Sequence, residues 1–270
     1  MSTDPITGTG KEMGSLAVIT TANDLASSGA EPVGVMLTIL LPEESEEALL
    51  KEIMRDAEAT CEKFHMQILG GHTEVSAAVN RPVISVSGVG KVKKDAMIKT
   101  GGARPGMDIV VSKWIGIEGT VILAKERERE LRGRYATTFI SVLSEAAVAA
   151  RSGVSAMHDI TEGGIFGALW EMAEASGVGL EIDLKKIPVR QETIEICEFF
   201  GLNPYELISG GSMLMAAEDG NQLVHELEKA GIPAAVIGKA MAGNDRVLRN
   251  EEERRFLEPP KPDELYRVIC

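Results

Sequence analysis

The sequence predicts a mixed α and β protein in two domains, and three observations carry that expectation. The chain has 270 residues, a length at which one hydrophobic core gives way to two. Short β-rich apolar runs alternate with stretches whose apolar residues recur at the helical period. Between the halves, Lys93 to Met107 is polar and holds Gly101, Gly102, Pro105 and Gly106, the composition of a linker.

Hydrophobic content of 44% with 26% charged residues is that of an ordinary globular protein. Aromatics make up only 4%, so the cores must rest on aliphatic side chains. The longest apolar run, Val33 to Leu41, is too short to span a membrane, and no secretion signal opens the chain. Net charge is −13, which opposes nucleic-acid binding because phosphate backbones are held by clustered Lys and Arg. A nucleotide stays open, provided divalent cations bridge carboxylates and phosphates. Cys61, Cys197 and Cys270 lack pairwise spacing; they fit a cytoplasmic protein and no zinc site.

Element by element, Met1 to Pro5 reads as the end of an extended segment. Gly10 to Ala30 follows as a helix that Asn23 and Asp24 interrupt with two poor helix formers. Val33 to Leu41 is a buried strand bounded by Pro32 and Pro42. Ser45 is the expected cap of an amphipathic helix with Leu49, Leu50, Ile53, Met54, Ala57, Cys61 and Phe64 on one face. An apolar run then stops at Gly70-Gly71 and delivers His72, Thr73 and Glu74, before a strand from Pro82 to Val92. In the second half, Asp108 to Trp114 predicts a strand and Glu118 to Arg134 a helix with a solvated charge run. Tyr135 to Ser152 predicts a helix burying Phe139, Val142, Leu143, Ala146, Ala147 and Ala150, stopped by Gly153. Val154 to Met157 is a short strand, and Thr161 the expected cap of a helix carrying Ile165, Phe166, Leu169, Trp170 and Ala173. Strands at Val178–Leu184, Met213–Ala217 and Ala234–Gly238 enclose helices at Gln191–Phe200 and Gly220–Ala230. Arg246 to Leu257 is a charged strand or arm, followed by a tail with Pro259, Pro260 and Pro262.

The chemistry gathers at two stretches of similar vocabulary, Met66 to Val75 and His158 to Gly164. Glycine without a Cβ lets backbone N–H groups approach a ligand closely; a plain tight turn is the simpler alternative. Asp4, Asp24, Glu74, Asp159 and Glu162 fall at element ends beside glycine or small residues. Hard oxygen donors, without histidine pairs or thiolates, suit Mg²⁺ or Ca²⁺. The helix start after Thr161 attracts anions. Carboxylates beside an anion site require metal between them, so the set describes a metal–phosphate site. Neither a Walker pattern nor a strand followed by G-x-G-x-x-G is present. Taken singly, His72 and His158 read most simply as hydrogen-bonded structural histidines, and no nucleophile elbow exists for a Ser-His-Asp triad. Ser209-Gly210-Gly211-Ser212 is either a third phosphate-side loop or a simple turn.

At these residues the chain resembles the aminoimidazole ribonucleotide (AIR) synthase superfamily, which includes the hydrogenase maturation factor HypE, selenophosphate synthetase and thiamine-monophosphate kinase. The resemblance covers nearly the whole chain in order. It runs through Asp4-Pro5-Ile6-Thr7, Ala22-Asn23-Asp24-Leu25-Ala26, Gly29-Ala30-Glu31-Pro32, Leu40-Leu41-Pro42-Glu43, Gly70 to Glu74, and Asp159-Ile160-Thr161-Glu162-Gly163-Gly164. It implies a two-domain α+β fold: residues 1–96 as a sheet-and-helix domain pairing with a second copy into a barrel-like dimer, 97–250 as an α+β domain, and 251–270 as a tail. It further implies ATP and Mg²⁺ in the cleft, with Asp4, Asp24, Asp159 and Glu162 toward metal. Asn23, Asp24, Gly70, Gly71, Thr73, Thr161, Gly163 and Gly164 would hold the nucleotide. The first strand of the superfamily's N-terminal domain is expected to be missing.

The resemblance is greatest to HypE, which dehydrates a carbamoyl group on a C-terminal cysteine to a thiocyanate with ATP. Cys270 on a flexible tail would be the acceptor, a carbamoyltransferase the partner, and His72 and Glu74 further catalytic candidates. Departures bear on this chemistry. His72-Thr73-Glu74 stands where HypE has Asp-Thr-Lys, Ser209-Gly210-Gly211 where it has Ser-Glu-Gly, and Tyr266-Arg267-Val268 replaces the usual proline–arginine pair near the C-terminus. Three readings stay open: a HypE-like enzyme, another ATP-dependent kinase or synthetase on a small metabolite, and a non-catalytic dimeric nucleotide-binding scaffold.

Overall fold

The structure is a computed structural model and describes residues 1–7, 12–126 and 140–269. The chain forms two compact units, Met1–Asp95 and Ala96–Cys270. Helix and strand are mixed in both. Among the described residues no helix is long and apolar enough to cross a membrane.

In the first unit, β1 (Ser2–Thr7), β2 (Glu31–Leu41), β3 (Gln67–Val75) and β4 (Val83–Lys91) form a four-stranded sheet in the order β1-β4-β2-β3. The β2–β3 pair is parallel, which demands a crossover; α2 (Glu47–Lys63) supplies it. One sheet face is apolar and covered. Val35, Leu37, Ile39, Ile84 and Val86 are buried there beside Ala17, Val18, Ile19, Ala22 and Leu25 of α1 (Met13–Ser27). Each fully buried aliphatic side chain contributes roughly 1.5–3 kcal/mol, which compensates for the scarcity of aromatics. Gly14 permits the close approach of α1 to α2, since a Cβ there would lie 2.0 Å from the Ile53 carbonyl oxygen. The opposite sheet face, with Met36, Thr38 and Leu40 of β2, is left exposed or half-buried.

Three local expectations change here. Asn23 and Asp24 do not interrupt α1; Asn23 is buried within it, where tertiary packing overrides a weak propensity. Ser45 is not the cap of α2, which starts after Glu46 without a side-chain cap. Pro32 lies inside β2, at a register shift against β4 that spares the missing N–H.

In the second unit, seven strands run in the order β11-β10-β7-β9-β5-β8-β6. They are β5 (Asp108–Ser112), β6 (Ala156–Ile160), β7 (Gly179–Asp183), β8 (Ser212–Ala217), β9 (Ala234–Met241), β10 (Arg246–Asn250) and β11 (Glu253–Phe256). Central β5 and β8 are buried along their whole length, as expected of strands covered on both faces. Ile165, Phe166, Leu169 and Met172 of α5 (Gly164–Ser176) pack with Ile109, Val111, Ile160 and Ile182 in the main core. The remaining helices are α3 (Ile117–Glu126), α4 (Leu143–Arg151), α6 (Gln191–Phe200), α7 (Gly220–Lys229) and α8 (Tyr266–Ile269).

The charged arm is a hairpin, β10–β11, paired to β7. The expected linker is built structure from Ala96 on: a Cβ at Gly102 would lie 1.8 Å from the Ser155 carbonyl oxygen, and Lys99 bridges Ala156. Helix α4 begins at Leu143, not Tyr135; residues 127–139, including Phe139, lie outside the described residues. The expected flexible tail is docked instead. Leu265 is buried with Leu123, Ile196, Cys197, Leu202 and Leu207.

Candidate functional site

The stretch from Met66 to Val75 does not end its strand at the glycines. β3 continues through them as the sheet's edge, and the expected Gly70–Glu74 loop is strand. Val35 pairs with Ile68 and Met36 with Gly70, so Leu69 is the extra residue of a bulge. The glycines answer to that backbone: φ is +150° at Gly70 and +159° at Gly71, and a Cβ at Gly71 would stand 2.0 Å from the Leu37 carbonyl oxygen. His72, Thr73 and Glu74 are all exposed. Strand alternation puts His72 and Glu74 on one face, 3.6 Å apart, with both side chains more than half exposed. Such a pair is worth less than about 1 kcal/mol.

Asp4 and Asp24 come from β1 and α1. The Ser2 hydroxyl donates to the Asp24 carboxylate. Asp4, two residues after Ser2 on β1, lies on the same face of the strand, while Thr3 on the other face meets the Ser87 hydroxyl at 3.0 Å. These two acids therefore share one side of the first unit.

The second stretch is built differently. His158 and Asp159 are neighbours in sequence but occupy opposite faces of β6. His158 turns toward α5 and meets Glu171 Oε2 at 2.5 Å, the structural role expected of it. Asp159, 7% exposed, points the other way. Thr161 is not the cap of α5. Gly163, at φ +76°, precedes the helix without a side-chain cap of its own. Gly164 at φ +59° is obligatory, since a Cβ would lie 2.6 Å from the Tyr205 carbonyl oxygen and 2.7 Å from that of Leu207.

The capping acceptor comes from the C-terminal segment. Asp263 Oδ2 accepts the Gly163 N–H at 2.7 Å and its Oδ1 the Leu265 N–H at 2.8 Å. Asp263 is 3% exposed. Burial pushes its pKa up, against the opposing pull of its backbone hydrogen bonds. Tyr266 donates its hydroxyl proton to Glu162. An internal carboxylate thus sits at the helix start where the sequence led us to expect a bound anion.

Ser209-Gly210-Gly211-Ser212 is a buried junction. Ser209 donates its backbone N–H to the Thr161 carbonyl at 3.3 Å and accepts the Gly116 N–H on its hydroxyl at 2.7 Å. The Gly210 N–H donates to Glu118 Oε2 at 3.0 Å. A Cβ at Gly210 would lie 2.2 Å from that oxygen, so the carboxylate of Glu118, 6% exposed, fills the space a side chain at 210 would need. Beside this junction, Lys113 at the end of β5 pairs with buried Glu145 at 2.6 Å and donates to the Ser141 carbonyl at 2.8 Å. Lys113 holds φ +53°, a conformation unusual for a side chain of that size.

Asp263, Glu118, Lys113 and Glu145 escaped the sequence reading. Each finds its partners through the fold; Asp263 and Gly163 are 100 residues apart, and no local pattern announces such a pair. Among the described residues no three His, Cys, Asp or Glu side chains group to hold a metal ion. Cys270 lies outside the described residues.

The model of the AIR synthase related protein N-terminal domain matches residues 1–92, and that of the C-terminal domain residues 104–249. A Methanocaldococcus jannaschii protein named for hydrogenase expression/formation is 33% identical over 273 residues, covering 98% of this chain and 81% of that protein. The carbamoyl dehydratase HypE of Rhodobacter capsulatus is 30% identical over 246 residues, covering 88% of this chain and 72% of the relative. The crystal structure of hydrogenase maturation protein HypE in complex with ATP matches with a TM-score of 0.88 over 98% of this chain and 85% of that one, at 23% identity. HypE in a HypE–HypF complex matches at 0.86 over 96% and 90%, also at 23%. At that identity the likeness speaks for the fold.

Proposed function

The chain belongs to the AIR synthase related protein family, and from that premise we propose that it is a hydrogenase maturation enzyme of the HypE type, using ATP to dehydrate a carbamoyl group. The observation that carries this reading is similarity along almost the whole chain to proteins named for hydrogenase formation, 33% identical over 98% of its length in one case.

In the reaction, S-carbamoylated Cys270 loses its oxygen. Phosphorylation by ATP makes the carbonyl oxygen a leaving group; phosphate departs and two protons leave the nitrogen, giving a thiocyanate, ADP and phosphate. Asp4 and Asp24 in the first unit and Asp159 and Glu162 in the second are the residues that would offer hard oxygen donors to Mg²⁺. A pair of carboxylates in one unit suffices, since Mg²⁺ keeps several waters and takes further oxygens from phosphates. Asn23, Gly70, Gly71, Thr73, Thr161, Gly163 and Gly164 are the proposed nucleotide contacts. For Gly163 to meet phosphate, its N–H must exchange the Asp263 carboxylate for the ligand. The exposed sheet face bearing Met36 and Leu40 is the surface on which a second copy would close, bringing His72 and Glu74 under cover. A carbamoyltransferase of the HypF type is the proposed partner, in the cytoplasm.

The test is mass spectrometry of the C-terminal peptide after incubation with ATP, Mg²⁺, carbamoyl phosphate and a HypF-type carbamoyltransferase. A carbamoyl and then a cyano adduct on Cys270 is expected. An unmodified Cys270, with ATP still raising the melting temperature as a native-state ligand must, would overturn the maturation role and favour a kinase or synthetase on a small metabolite.

A further inference from the structure

A cavity of about 600 Å³ opens in the second unit, between the turn after β7 and the β10–β11 hairpin. None of its lining residues belongs to the acid and glycine set discussed above. Its floor is apolar, formed by Leu184, Leu248 and Tyr205. Tyr205 is half-buried, its ring stacks on Phe166 with centroids 5.1 Å apart, and burial pushes its phenol pKa up, so the hydroxyl stays a proton donor. The lining holds Lys185, Arg254 and Arg255 with the acid Glu253, and carboxylates just outside it pair with two of these cations.

The three cations are not equivalent. Lys185 is held by Glu251, and Arg254 lies 3.4 Å from Glu181, which also holds Arg249 at 2.9 Å. These pairs fix the rim without filling it. Arg255, among the described residues, forms no ion pair with a carboxylate; its guanidinium stands 5.7 Å from the centre of the Phe166 ring. An arginine fork with open donors above an aromatic and aliphatic floor matches an oxyanion attached to a planar or apolar body. A volume of this size is that of a small-molecule site.

We infer that this cavity binds a small organic phosphate, with Arg255 on the phosphate and Tyr205, Leu184 and Leu248 on its body. The inference is independent of the reading of the acids and of Cys270. Phenyl phosphate is the probe, with inorganic phosphate to isolate the headgroup and benzoate to separate phosphate from carboxylate. Titration of the full chain, followed calorimetrically, is expected to give saturable binding of phenyl phosphate, tighter than of either control. Arg255→Gln should weaken it on the order of tenfold, the loss of one charge-assisted hydrogen-bonding partner. ATP affinity measured in the presence of saturating phenyl phosphate should be unchanged in wild type and in Arg255→Gln. Because Arg255 is exposed, its substitution leaves the core intact; an unchanged melting temperature checks this. Equal affinity in wild type and Arg255→Gln, tighter binding of benzoate, or displacement of phenyl phosphate by ATP would each overturn the assignment.

Discussion

In residues 66–75 the glycines lie inside an exposed edge strand; in residues 158–164 they lie between a buried strand and the start of a buried helix. The two stretches carry nearly the same residue types. In the first, Gly70 and Gly71 let a strand bulge and then pass under the Leu37 carbonyl, and the polar side chains that follow face outward. In the second, the turn is tied to Ser209, Asp263 and Tyr266. A motif's vocabulary therefore reports where backbone is constrained. Burial and long-range partners decide whether it can be a site.

The largest test of this contrast is catalytic. Asp159→Asn keeps the volume of a buried side chain and removes its charge; the rate of ATP-dependent carbamoyl dehydration should fall by about 10²-fold or more, the scale of losing one electrostatic stabiliser. His72→Ala, on the exposed strand, should change the same rate by about threefold or less. Equal losses in initial-rate measurements would break the contrast and make His72 part of the reacting site once a second copy covers β3.

Stability sharpens it from the other side. Gly164→Ala and Gly71→Ala each place a Cβ against backbone oxygens at 2.6 and 2.0 Å, and each should cost about 3 kcal/mol or more in urea denaturation. At Gly70 a Cβ meets nothing within 4 Å, so only the φ of +150° opposes it, and Gly70→Ala should cost about 1–2 kcal/mol. Weaker ATP binding by a folded Gly70→Ala variant would support the proposed nucleotide contact at this glycine; unchanged ATP affinity would remove Gly70 from that set.

These residues also mark what the sequence could reveal. Helix α6 was legible end to end, at Gln191–Phe200 as expected, and Gly201 takes the left-handed conformation past its last turn. Cys61 was legible as core from its place on the apolar face of α2. The Leu69 bulge was not, because a one-residue slip leaves no mark on a short strand's composition. Nor was the buried acid network: Glu118 and Glu145 look like ordinary first-turn acids of α3 and α4. The expectation of a flexible tail failed for the same reason. Asp263 sits among prolines and charges, and its partners at Gly163 and Leu265 exist only once the chain has folded.

Asp263 gives a third, smaller effect through pH. Its folded-state pKa is raised by burial, so the folded chain holds this proton more tightly than the unfolded chain does. The contribution is fully present below the unfolded aspartate value and is lost as pH rises through the folded one. Urea midpoints measured upward from pH 4 should therefore show a decline that Asp263→Asn removes. A decline that persists unchanged in the variant would mean that the carboxylate is not desolvated at the α5 cap.

The fourth effect is a rate of labelling, and it asks whether the second stretch opens on its own. Burial raises the thiol of Cys61 to about 11; burial, with the Glu264 carboxylate nearby, raises that of Cys197 to about 12. At pH 8 the thiolate fractions are on the order of one in 10³ and one in 10⁴, so both should resist iodoacetamide in the native chain and react once it is unfolded. Cys197 shares its cluster with Leu265 of the docked C-terminal segment, whereas Cys61 lies in the first unit on the buried face of α2. Asp263→Asn puts an amide N–H₂ against backbone donors that the carboxylate satisfied, so it should loosen the segment and speed alkylation of Cys197 by about tenfold while Cys61 is unchanged. Equal acceleration at both thiols would mean that the variant lowers global stability. No acceleration at either would mean that the segment is held by Leu265 and its apolar neighbours, with the Asp263 cap contributing little to its docking.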